Sequence, residues 1–140
     1  MEILYVVSEA YPYAKCGGLG EIAGSFPAAL AKTGQTVRVM LPLYEQIGKE
    51  YRDRMEFIGD YSFRLGLARI WCGLYSLQEQ GVTWYFVENE HAFGREEIYG
   101  YKDDDARFAL FSKAVCEAVP YLGWVPDVIH CNDWQTALEL

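Results

Sequence analysis

No run of lysine or arginine appears anywhere in this sequence, and its net charge at neutral pH is −8. A nucleic-acid backbone is excluded as a partner, because affinity for it is built on clustered cations. The opening residues, Met1-Glu2 and the short apolar run Ile3 to Val7, lack the basic leader and longer apolar core of a secretion signal. No apolar segment approaches the ~20 residues needed to cross a bilayer. The four cysteines, at 16, 72, 116 and 131, form no C-x-x-C pair and keep wide, irregular gaps, which reads as reduced thiols. Neither G-x-G-x-x-G nor G-x-x-x-x-G-K-[ST] occurs, so the dinucleotide and P-loop fingerprints are both unmet. A nicotinamide dehydrogenase is excluded further, because Leu41-Pro42-Leu43 stands where an acidic residue would end the second strand. What survives is a soluble, cytoplasmic domain of 140 residues, 51% hydrophobic and 23% charged, with no nucleic-acid or membrane partner.

What is present is organised around Tyr13-Ala14-Lys15-Cys16-Gly17-Gly18-Leu19-Gly20-Glu21. A strand from Glu2 to Ser8 feeds this stretch, and a helical pattern from Leu19 to Lys32 leaves it. Glycines let a backbone approach a ligand closely, and a helix start offers unpaired N–H groups and a partial positive charge. Lys15 adds a full positive charge at the same place. The combination suits an anionic group such as a phosphate; the plainer reading is a tight strand-to-helix turn with an exposed lysine.

The helix places Leu19, Ile22, Ala23, Phe26, Ala29 and Leu30 at three- and four-residue intervals, with Pro27 expected to kink it or to start a separate turn. Gly34 ends it, and Thr36 to Leu41 is a second strand, completing a βαβ unit with parallel strands. From Met55 to Leu77 and from Val82 to Val87 the pattern gives short strands. Gln80-Gly81 joins two of them as a hairpin, and Val82 to Val87 enters the main sheet. An antiparallel ribbon is therefore inserted into, or laid along the edge of, an otherwise parallel sheet. Asn89 to Lys102 reads as loop. Asp103-Asp104-Asp105 supplies capping charge to a helix carrying Phe108, Phe111, Ser112, Val115 and Val119, closed by Pro120, Gly123 and Pro126.

Asp127 to His130 reads as one more buried strand, and Asn132-Asp133 caps a helix starting at Trp134. His130-Cys131-Asn132-Asp133-Trp134 thus lies at a strand's carboxyl end, as the glycine stretch does, and two such ends can face one cleft. Taken singly, Asp133 has a role as helix cap and His130 can satisfy a backbone carbonyl. A metal site from His130, Cys131 and Asp133 is not expected, since side chains along a strand alternate in direction and zinc-knuckle spacing is absent.

Lys15-Cys16-Gly17-Gly18-Leu19-Gly20 resembles the Lys-x-Gly-Gly-Leu-Gly loop of the family 5 glycosyltransferases, the bacterial glycogen synthases and plant starch synthases. Ser8-Glu9, Tyr85 to Asn89, Tyr99-Gly-Tyr101, Asp105 to Phe108 and His130 to Leu138 resemble that family's other landmarks, in its order. The resemblance spans the whole chain. It implies an α/β fold: a Rossmann-like, mostly parallel sheet with helices on both faces, forming the N-terminal half of a GT-B enzyme. Residues 1–140 would then be its acceptor-side domain, truncated, with the C-terminal nucleotide-binding domain absent.

The implied activity is transfer of glucose from ADP-glucose to the non-reducing end of an α-1,4-glucan such as glycogen, with retention and with neither metal nor cofactor. By this resemblance Lys15, Gly17 and Gly18 contact the nucleotide-sugar, and Asp133 is the catalytic-side aspartate near glucosyl and acceptor. Glu9, Glu21, Asn132 and His130 would complete the substrate-binding set. Three positions depart from the family's habit: Glu21 stands for aspartate, Cys16 for threonine or serine, and Asn132 for histidine. By the resemblance most of the donor pocket belongs to the second domain, so the fragment alone is expected to be inactive, and the residues that choose between ADP-glucose and UDP-glucose lie there too. The competing reading is a free-standing module that binds α-glucan or nucleotide-sugar without chemistry. Aromatic residues including Trp71, Trp84, Trp124 and Trp134 would then supply sugar-stacking faces.

Overall fold

The computed structural model describes residues 1–139. It opens with β1 (Glu2–Val6), α1 (Gly18–Ala31) and β2 (Thr36–Pro42), the two strands pairing in parallel with Leu4 opposite Arg38 and Val6 opposite Met40. Leu4, Val6, Val39, Met40 and Leu41 are all buried, as a strand covered on both faces requires. In α1 no separate turn starts at Pro27, and the helix continues to Ala31. The proline ring is buried, so the rung it removes is offset by packing. The buried face also differs from the expected stripe: it is Gly20, Ala23 and Pro27, while Ile22 and Phe26 are exposed. Small residues win here because the loop before the helix lies directly on it. A Cβ on Gly24 would stand 2.6 Å from the Tyr11 carbonyl oxygen.

A single helical turn that the sequence pattern did not reveal, α2 (Lys49–Arg52), follows β2. The Arg52 guanidinium fastens it by donating to the Ile47 carbonyl at 2.7 Å and the Tyr44 carbonyl at 2.6 Å. Three long strands come next: β3 (Glu56–Leu65), β4 (Ala68–Glu79) and β5 (Val82–Glu88). Gln80 and Gly81, with φ of 55° and 73°, make the two-residue turn between β4 and β5 that a primed hairpin requires. β5 pairs antiparallel with β4 and parallel with β2, so it joins the ribbon to the parallel sheet.

Within the stretch expected to be loop, α3 (Glu90–Phe93) forms under an Asn89 cap whose Oδ1 accepts the Ala92 N–H at 3.0 Å. In α4 (Asp104–Ala118) Phe108, Phe111, Ser112 and Val115 are buried, as their spacing demands, and a 3-10 turn, Val119–Tyr121, closes the helix. Asp103 holds the N-cap position, but its side chain makes no capping hydrogen bond. Its carboxylate is gripped by both terminal nitrogens of Arg95, at 2.7 and 2.8 Å, while Asp104 accepts the Gly100 and Tyr101 N–H groups.

The last strand, β6 (Val128–Cys131), pairs in parallel with β1. It was expected to be buried but stands at the sheet's edge, with Val128 42% and Ile129 38% exposed. A 3-10 helix, Trp134–Glu139, follows where an α-helix was expected. The six strands run in the order β3-β4-β5-β2-β1-β6. Strand alternation puts Tyr5, Val39 and Trp84 on one face, where Tyr5 meets Phe26 of α1. Cys72, Leu74 and Val87 line the other, where the neighbouring Tyr61 donates its hydroxyl to the Ala114 carbonyl of α4. The architecture is thus mixed α/β with a mostly parallel sheet and helices on both faces, as expected.

One buried charge holds α4 to what precedes it. Arg107, 2% exposed, donates to the Ala92 carbonyl at 2.6 Å, the Ile98 carbonyl at 2.9 Å and the Asp104 carboxylate at 2.7 Å. Arg107→Met would strand two carbonyls and a carboxylate, at a cost of about 3–5 kcal/mol. A urea unfolding midpoint should fall accordingly. Arg107→Lys should recover little of the loss, because an ammonium cannot reach three acceptors in the geometry of a guanidinium fork.

Candidate active site

The chain leaves β1 through Val7, Ser8 and Glu9, at the carboxyl end of the parallel strands. From β1 the strand order runs one way to β2 and the other way to β6, so the crevice between the β1 and β6 ends is the switch point of the sheet. Glu9 is 3% exposed at that point. Its Oε2 accepts the N–H of Cys16 at 2.6 Å and of Gly17 at 2.9 Å, and its Oε1 accepts the Tyr99 hydroxyl at 3.0 Å. The carboxylate therefore folds the glycine stretch around itself. Gly20 makes this possible, for a Cβ there would stand 2.7 Å from Glu9 Oε2 and 2.8 Å from Lys15 Cγ.

Tyr99 spends its only proton on Glu9, so Ser8 Oγ is the donor in the 2.5 Å contact between Ser8 and the Tyr99 oxygen. The Tyr44 hydroxyl in turn donates to the Ser8 carbonyl at 2.5 Å. Burial pushes the Tyr99 and Tyr44 phenols up, which keeps both as neutral donors. Sequence reading identified Ser8 and Tyr99 only as landmarks and passed over Tyr44. Nothing in the local spacing of a tyrosine announces a partner some ninety residues away.

Lys15 and Glu21 meet across the mouth of the loop, Nζ to Oε1 at 2.7 Å. The hydrogen bond and charge of Glu21 raise the Lys15 pKa, and those of Lys15 lower that of Glu21. The pair is solvent-exposed and therefore readily exchanged for another partner. It borders an opening of about 520 Å³ with Tyr11, Pro12 and Ser25 on its walls. Gly18 and Leu19 begin α1, where N–H groups precede the helix's own ladder.

At the neighbouring end of β6 the predicted residues take separate directions. Asp133 is exposed at φ 66°, a left-handed conformation that aspartate tolerates, and its Oδ1 accepts the Trp134 N–H at 2.8 Å. Asn132 turns back to the sheet, its side-chain amide donating to the Val6 carbonyl at 2.8 Å. His130 lies against the Tyr5 ring at 4.9 Å and the Phe26 ring at 6.4 Å, on the α1 face. So Glu9, Lys15, Gly17, Gly18 and Glu21 form one cluster. Asp133 stands at the adjoining strand end, and Asn132 and His130 serve packing. Among the described residues no three His, Cys, Asp or Glu side chains gather as metal ligands would, and no helix is long and apolar enough to cross a membrane.

The sequence profile described as the starch synthase catalytic domain matches residues 2–139. The chain belongs to the starch synthase catalytic domain family. Among similar members, a glycogen synthase of Clostridium beijerinckii is 44% identical over 138 residues, which cover 99% of this chain and 29% of that protein. A glycogen synthase of Geobacillus stearothermophilus is also 44% identical over 138 residues, covering 99% of this chain and 28% of that protein. A solved structure, the catalytic domain of starch synthase IV from Arabidopsis thaliana bound to ADP and acarbose, aligns with a TM-score of 0.87 at 31% identity. The alignment covers 97% of this chain and 28% of that one. This starch synthase family chain thus spans under a third of the length of the relatives it matches.

Glu9→Ala leaves the Cys16 and Gly17 amides without their acceptor. Their hydrogen exchange should accelerate tenfold or more, each tenfold corresponding to about 1.4 kcal/mol of local protection. Mass-resolved exchange on the loop peptide measures this, with amides in the middle of β2 as the unchanged reference.

Proposed function

We propose that this chain is the acceptor-side, N-terminal domain of a cytoplasmic glycogen synthase. The whole enzyme would move glucose from ADP-glucose to the non-reducing end of an α-1,4-glucan, with retention at the anomeric carbon. The observation that carries the reading is the family match over residues 2–139 together with a lysine-glycine loop at the sheet's switch point. The Arabidopsis structure supports the ligand classes, since that protein of the same fold is bound to ADP and acarbose. A second, nucleotide-binding domain of the same polypeptide is the implied partner, and the choice of ADP over UDP would rest on its residues.

In this proposal the diphosphate approaches the loop mouth and draws Lys15 away from Glu21. The leaving group gains negative charge as the bond from glucose C1 to the diphosphate breaks and the bond to the acceptor hydroxyl forms. The Lys15 ammonium and the first N–H groups of α1 are aimed at that charge, which is where electrostatic stabilisation lowers a barrier most. Gly17 contributes shape and not a donor, because Glu9 already holds its N–H. Asp133 faces solvent at the adjoining strand end, where the acceptor would enter.

Two measurements test the reading. The 140-residue chain alone should show no transfer with ADP-glucose and glycogen, while a polypeptide carrying it together with the second domain should. Turnover by the purified fragment counts against the need for a second domain, while none in the longer polypeptide with any nucleotide-glucose counts against transfer and in favour of a glucan-binding module. In the longer polypeptide Lys15→Ala should lower kcat by roughly 10²–10³, the range for losing one preorganised charge-stabilising group. Its melting temperature should stay unchanged, and an unaltered rate removes Lys15 from the mechanism.

A further inference from the structure

A second constellation lies at the same end of the sheet, away from the loop. Trp71 and Gly73 of β4 point to one face, and Gly73 is flanked across the strands by Asp60 of β3 and Glu88 of β5. Because Gly73 has no side chain, the indole lies across it. A Cβ there would stand 3.1 Å from Trp71 Cη2 and 2.7 Å from Glu88 Oε1. The indole N–H donates to Asp60 Oδ2 at 2.9 Å, and Asn89 Nδ2 donates to the Trp71 carbonyl at 3.0 Å. The ring is thus fixed in orientation between two carboxylates, yet it remains 45% exposed. One face of an indole held in place by its neighbours is therefore open to a ligand.

The surroundings state what the ring could hold. A hollow of about 490 Å³ opens beside it, with Arg69, Glu90 and His91 on its walls, and shares Glu88 and Asn89 with a neighbouring hollow of about 280 Å³. An exposed aromatic face rimmed by carboxylate, amide and guanidinium matches a sugar ring, which offers an apolar C–H face and a girdle of hydroxyls. Asp60, Glu88 and Glu90 repel a phosphate and accept hydroxyl protons, so the site selects a neutral polyol over a nucleotide or polyanion. The chain's net charge of −8 acts in the same direction. β4 is three strands from β1, roughly 14 Å at ordinary strand spacing.

We infer that Trp71, with Glu88 and Asn89, forms a second, non-reacting binding site for an α-1,4-glucan chain on the far flank of the catalytic edge. The choice of glucan among neutral sugars rests on the proposed function. A polymer held there would keep its free ends at high local concentration near the Lys15 loop.

The test is affinity electrophoresis of the 140-residue chain through gels containing glycogen, with heparin gels as the polyanion comparison. Glycogen should retard the chain and heparin should not. Trp71→Ala should weaken the glycogen effect at least tenfold, Trp71→Tyr should largely retain it, and Gly73→Ala, which displaces the ring, should weaken it. No retardation of the unmodified chain, equal retardation of Trp71→Ala, or Trp71-dependent retardation by heparin each overturns the inference. Should Trp71→Ala unfold, oxidation of the unmodified chain by N-bromosuccinimide decides instead. Maltoheptaose should shield Trp71, read by peptide mass, and an unshielded Trp71 overturns the site. Glycogen binding that depends on Trp71 in a protein whose longer form transfers no glucose would sink the transfer reading and leave this site standing. Transfer without such binding does the reverse.

Discussion

The position of one buried carboxylate, that of Glu9, decides how the candidate site is built. An ionised group with so little water must be surrounded by donors. Glu9 finds them in two loop amides and in the Tyr99 hydroxyl, which comes from the other half of the chain. The same contacts close the glycine stretch, fix the entry of α1 and pull the segment before α4 against β1. They also use two of the amides that an anion would otherwise find in a glycine-rich turn. An anion at the loop would therefore meet the Lys15 charge and the start of α1, not a full ring of backbone donors.

The support for Glu9 extends well beyond its immediate neighbours. Arg107 of α4 binds the Ile98 carbonyl, one residue before Tyr99, and Tyr99 in turn binds Glu9. A buried guanidinium in the core of one face is thereby connected through two residues to the loop at the sheet's end. The chain of contacts explains why a helix with no residue in the candidate site still carries a costly buried charge. Its energetic role is to hold Tyr99 in register with a carboxylate that cannot do without it.

Much of this was legible in the sequence, because local pattern and tertiary placement agreed. The continuous apolar run of β1, the Gln80-Gly81 turn and the helical spacing of Phe108, Phe111 and Val115 each report a constraint felt within a few residues. The failures share one cause. The burial of α1 follows Gly20, Ala23 and Pro27 because a loop passes close above Gly24, and no periodicity records that approach. Asp103 looks like a cap until Arg95 takes its carboxylate. In the candidate site Lys15 stood out beside the glycines and Glu21 only through the family resemblance, and the structure pairs the two. The partners of Glu9 were not legible, since they are set by strand ends and by a tyrosine about ninety residues away. Asn132 and His130 lie in the stretch that resembles the family, Asn132 where histidine is usual, yet their side chains turn to the Val6 carbonyl and the Tyr5 ring.

β6 has a ladder partner only on its β1 side among the described residues, and two of its apolar side chains are open to water. Its four residues make a short edge, which limits how firmly another strand can add to it. At neutral pH the net charge of −8 keeps copies apart. As carboxylates take up protons in acid that repulsion fades, while the amides and carbonyls of the open edge are unchanged. The charge that keeps copies apart and the charge that fastens the fold are thus carried by the same kind of group, since Arg95 and Arg107 each hold a carboxylate, Asp103 and Asp104.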